Sequence, residues 1–131
     1  MDLEPRDGKE DTLVWSQTKM NKKPTYVAFA TKKLENDFEK LHKGKYEDEQ
    51  LYRFIQRAID DLKKNPMCGA KIPRSLWPKQ YIKNYRITNL WKYDLPNAWR
   101  LVYTIQEDRI MILSVILEWF SHKEYERKFG Y

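Results

Sequence analysis

The spacing of apolar positions changes character along the chain, and each change marks an element. Tyr26 to Ala30 (YVAFA) is a short apolar run that predicts a strand. Leu34, Phe38 and Leu41 then fall at i, i+4 and i+7, one stripe of a short helix that Thr31 can cap and Gly44 can end. Leu51, Phe54, Ile55, Ala58, Ile59 and Leu62 form a broader helical face and predict a second helix from about Glu47 to Lys64. Its early acids, Asp48 and Glu49, and its late lysines, Lys63 and Lys64, suit the helix dipole, and Pro66 stops it. The short link between the two helices predicts an antiparallel hairpin.

Three strands are predicted next: Arg86–Tyr93, Trp99–Ile105 and Arg109–Leu117. The last is a continuous apolar run, as in a strand covered on both faces. Asp94–Ala98 and Gln106–Asp108 are turn clusters short enough to make the three an antiparallel meander. The order β-α-α-β-β-β, with the helical hairpin packed on an antiparallel sheet, is an α+β domain.

Two segments fall outside this pattern. Residues 1–24 read as a flexible N-terminal extension around Leu13–Trp15, which places the domain at 25–131. Met67–Tyr85, with Gly69, Pro73 and Pro78, reads as a loop. A connection that long inside a small domain points to function.

The 131 residues suit one domain, and an aromatic share of 15% compensates for a hydrophobic share of only 41%. No stretch is apolar for long enough to span a bilayer, and Met1–Glu10 is too charged for a secretory leader, so a cytoplasmic protein is expected. Cys68 is the only cysteine and the histidines are His42 and His122, so neither a metal nor a cofactor is expected.

Charge adds a location. The net +6 lies almost wholly in the second half, and between Asp61 and Asp94 there are eight cations and no acid. Lys71, Arg74, Lys79, Lys83 and Arg86 alternate there with Trp77, Tyr81, Tyr85 and Trp91, and Lys123 and Arg127 continue the basic character in the tail. Cations neutralise phosphate and rings stack on bases, so these seven cations are RNA-binding candidates. A bland solvated surface is the competing reading.

Arg, Lys, His and Tyr together form a metal-free set that can cleave RNA. The 2′-hydroxyl attacks, so the protein supplies a base, an acid, and cations for the phosphorane charge. Arg100 sits in the most β-prone strand. Alternation sets it with Val102 and Thr104, opposite Trp99, Leu101 and Tyr103. An ion pair with Asp94, Glu107 or Glu118 would explain it equally well.

Residues 97–131 resemble the C-terminal half of the RelE/ParE superfamily of type II toxins. The resemblance is carried by Trp99–Tyr103 (WRLVY), the acidic turn Gln106–Asp108, the apolar last strand, and His122 with Tyr125. It implies the same fold and a toxin neutralised by a cognate antitoxin, monomeric alone or heteromeric with that partner. RelE-like members cleave mRNA on the ribosome without a metal, in contact with rRNA, and this endonuclease activity by 2′-hydroxyl attack is the expected function, with two alternatives. ParE-like members poison DNA gyrase and often lack the catalytic set, and a non-catalytic RNA- or partner-binding homologue is a third class. By resemblance Arg100, Lys92, His122 and Tyr125 are the catalytic candidates. The groove between hairpin and sheet is the expected antitoxin site.

Overall fold

The computed structural model describes residues 23–130. Strand β1 (Thr25–Phe29) leads into helices α1 (Lys32–Leu41) and α2 (Tyr46–Lys64). Thr31 caps α1 by accepting from the Leu34 amide, as its sequence position predicts. A 3-10 turn (Pro66–Cys68), strand β2 (Ala70–Lys71), a second 3-10 turn (Arg74–Leu76) and helix α3 (Lys79–Tyr85) follow. Strands β3 (Trp91–Asp94), β4 (Arg100–Glu107) and β5 (Ile112–Phe120) complete the sheet, and helix α4 (His122–Phe129) closes the described chain.

The sheet order is β1-β5-β4-β3-β2. The meander β3-β4-β5 is antiparallel as predicted, while β1 runs parallel to β5, with Thr25 opposite Ile112 and Phe29 opposite Ile116. Of the expected extension, residues 1–22 lie outside the described residues. Lys23 bonds Glu107 at 2.6 Å, and the Pro24 carbonyl accepts from the Ile112 amide at 3.0 Å, so the described end is fastened to the β4–β5 turn.

Both faces of the sheet are covered, which explains why the β5 run is apolar on both sides. On one face Phe38, Leu51, Ile55, Ala58, Ile59 and Leu62 of the hairpin pack on Leu101, Tyr103 and Ile116. This core fills the space between hairpin and sheet, so the expected antitoxin groove is not open there. At its edge, a cleft of about 640 Å³ remains between α2 and the β3–β4 turn, lined by Arg53, Phe54, Arg57 and Pro96 among others. On the other face Tyr81, Ile87, Tyr125 and Phe129 pack on Val102, Leu117 and Phe120. The hairpin is therefore not the whole helical layer.

Two local expectations are corrected, and the tail gains an element. Met67–Tyr85 is an ordered strap rather than a loop: Tyr81 buries its ring, the Trp77 indole donates to the Ile72 carbonyl at 2.8 Å, and Tyr103 Oη donates to the Pro66 carbonyl at 2.7 Å. Strand Arg86–Tyr93 shrinks to Trp91–Asp94 because Arg86 adopts the left-handed conformation (φ 51°) that ends α3. The tail is helical, opened by a capping box in which Ser121 and Glu124 satisfy each other's backbone amides.

Ahead of β3, one side chain substitutes for the missing ladder. Asn89 donates to the Ile105 carbonyl and accepts from the Ile105 amide, both at 2.8 Å. Asn89→Ala would leave two β4 backbone groups without partners. The expected loss is about 1–3 kcal/mol in urea unfolding; an unchanged midpoint would show that water replaces the amide freely.

Candidate functional site

The site begins with register. Lys92 and Asp94 are two residues apart on β3 and share a face, and Asp94 lies directly opposite Arg100 on β4. The Lys92 ammonium is 3.2 Å and 3.4 Å from the two Asp94 carboxylate oxygens. Arg100 Nε is 3.1 Å from Asp94 Oδ1. Of the three acids offered as partners for Arg100, Asp94 holds it. The guanidinium carbon of Arg100 lies 5.6 Å from the centre of the Tyr125 ring, which approaches from α4. Phe120 is the cross-strand neighbour of Arg100 on its other side.

The structure thus brings Lys92, Arg100 and Tyr125 together, with Asp94 as a fourth member. The two cation side chains are only 27% and 20% exposed, whereas Asp94 is 59% exposed. Tyr125 is 3% exposed and stacks on Phe129 at 4.5 Å. A cleft of about 370 Å³ beside Lys92 and Asp94 is floored by Gly69 and Ala70. His122 opens α4 and its Nε2 is 3.2 Å from Glu126, one turn along the same helix.

The other basic candidates do not share one face. Lys71 pairs with Trp91 across β2 and β3, which puts it on the sheet face opposite Lys92, with its ammonium 5.9 Å from the Trp91 ring centre. Arg74 lies 5.0 Å over Trp77. Lys83 is exposed on α3, Arg86 is exposed at its end, and Lys123 is exposed on α4. Lys79 and Arg127 meet across a cleft of about 610 Å³ between α3 and α4.

Two acids that the sequence offers only as ion-pair partners of Arg100 take fuller roles. Asp94 reads as a turn residue, and only the β3–β4 register reveals it between two cations. Glu118 is turned toward the α3–α4 face by a bulge: Val102 pairs with Glu118 and Tyr103 with Ile116, which leaves Leu117 as the extra residue. Glu118 accepts a short hydrogen bond from Tyr81 and lies 3.8 Å from Lys128. Burial, and then that carboxylate, push the Tyr81 phenol far above its ordinary pKa. Burial and a hydrogen bond to Asp61 push Tyr93 up to about 12. Both phenols are held protonated at neutral pH.

Among the described residues no group of three or more His, Cys, Asp or Glu side chains is placed to hold a metal ion, and no helix is long and apolar enough to cross a membrane. The family described as ParE toxin of type II toxin-antitoxin system, parDE, matches residues 29–117. No curated protein and no solved structure matches the chain.

Proposed function

The chain belongs to the ParE toxin family of type II toxin–antitoxin systems, and from that premise we propose that it arrests growth by binding its target rather than by cutting RNA. DNA gyrase is the target that this class implies, reached in the cytoplasm and released by a cognate antitoxin. One observation carries the choice between mechanisms. The two cations best placed to hold a scissile phosphate are both engaged by Asp94, and the tyrosine beside them is buried. A phosphorane needs unopposed cations and an acid or base within reach of the reacting oxygens. Lys92 and Arg100 share one carboxylate, so the local charge is a single net positive. Tyr125 serves as the ring on which Arg100 rests.

The RNA-cleaving reading keeps one observation in its favour: Lys92 and Arg100 do lie on one face, next to a cleft. Tyr125→Phe separates the two. It keeps the ring and removes the phenol proton. Under the binding mechanism the variant arrests growth as the wild type does, gyrase-linked DNA breaks accumulate, and translated mRNAs show no codon-periodic 5′ ends. Under cleavage with Tyr125 as acid or base, the variant loses roughly 10²–10⁴-fold in cutting, and the wild type leaves cuts in phase with codons. Codon-phased cuts by the wild-type protein would sink the binding mechanism.

A further inference from the structure

The cleft between α3 and α4 lies outside the Lys92–Asp94–Arg100 cluster and has a character of its own. One wall is the start of α3, with Pro78, Lys79 and Gln80; the other is α4, with Arg127 and Lys128; Phe120 of β5 lies between them. Helix α4 falls beyond the residues matched by the family, and α3 belongs to the strap between α2 and β3.

The charges in this cleft are unevenly spent. Lys128 donates to Gln80 at 2.6 Å and lies over the Tyr81 ring, its ammonium 5.5 Å from the centre. The acid on the rim, Glu124, is bound to the Ser121 amide at 2.9 Å as part of the helix cap. Lys79 and Arg127 are exposed, and neither has an ion-pair partner among the described residues. Among the described residues the cleft therefore offers two cations without an ion-pair partner above an apolar floor.

We infer that this cleft is a docking groove for an acidic polypeptide segment, whose carboxylates meet Lys79 and Arg127 and whose aliphatic side chain rests on Pro78 and Phe120. A nucleic-acid strand has the same charge but needs ring faces open for stacking. Here Phe120 is 7% exposed, Tyr81 is 2% exposed, and Lys128 already lies over the Tyr81 ring. The apolar floor suits a leucine or valine, and the two cations suit carboxylates spaced along an extended or helical chain. The inference does not depend on whether the toxin binds gyrase or cuts RNA.

The test uses the full chain and two labelled probes of equal charge: a short peptide alternating glutamate and leucine, and an oligothymidylate. Fluorescence anisotropy at low salt should show the peptide binding more tightly than the oligonucleotide. Arg127→Glu and Lys79→Glu, both at exposed positions, should each weaken the peptide about tenfold. Lys83→Glu, on α3 but outside the cleft, should leave peptide binding unchanged. Thermal melts of all three variants should match the wild type. Tighter binding of the oligonucleotide, lost on the same two reversals, would overturn the proposal and make the cleft a nucleic-acid groove. Equal loss with Lys83→Glu, or no binding of the peptide by the folded wild type, would overturn it as well.

Discussion

Gly69→Ala is expected to lower the stability of the domain by about 1–3 kcal/mol, read as a lower urea midpoint. Gly69 has an extended backbone (φ −83°, ψ −167°), so no left-handed conformation is at stake. The reason is proximity. A Cβ at this position would press into the Lys92 carbonyl and stand 2.7 Å from Tyr103 Oη. The first obstacle is backbone in the sheet and cannot rotate away. The second is the phenol that fastens the strap, accepting from the Gly69 amide at 3.2 Å and donating to the Pro66 carbonyl. Relief requires the strap to lift, which breaks the β2–β3 pairing at Ala70 and Lys92 and disturbs the placement of Lys92. A wild-type midpoint for this variant would show that the strap is not seated so closely.

Asp94→Asn is expected to raise affinity for a short single-stranded oligonucleotide about tenfold at low salt. The wild-type cluster has two cations against one carboxylate. The amide keeps a similar shape and removes the charge, so the net local charge rises from +1 to +2 around groups already held within 3.2 Å of this side chain. One further phosphate contact should also steepen the log–log salt dependence by about 0.7. Arg100→Gln added to Asp94→Asn should cancel the gain. If Asp94→Asn leaves both affinity and salt slope unchanged, the carboxylate is not what quiets the pair.

The elements with strong periodicity are legible in the sequence. Leu51, Ile55, Ala58, Ile59 and Leu62 of the α2 stripe are buried as their spacing predicts, with Phe54 half-buried, and the alternation in β4 sets Arg100 and Val102 opposite Leu101 and Tyr103. The strap was not legible, because Gly69, Pro73 and Pro78 are loop signals whichever way their neighbours pack. Its order comes from long-range partners, Tyr81 on Glu118 and Tyr103 on Pro66, which local spacing does not encode. The parallel pairing of β1 with β5 joins opposite ends of the sequence and is equally invisible to a local window. The site was half legible. Lys92 and Arg100 were found by charge and resemblance, but the role of Asp94 depends on register across a turn. That of Glu118 depends on one extra residue in β5.

The pairing of β1 with β5 also sets an order in time. Thr25 emerges from the ribosome well before its partner Ile112, so β1 has no strand to join until both hairpin helices and the other three strands of the sheet have been made. Lys92 and Arg100 depend on the same late strand, since β5 supports β4 and the α4 ring beneath Arg100. A chain cut short before β5 lacks both the sheet and the cation site. The complete sheet therefore forms only once β5 has been made, and an antitoxin made alongside has until then to be ready for it.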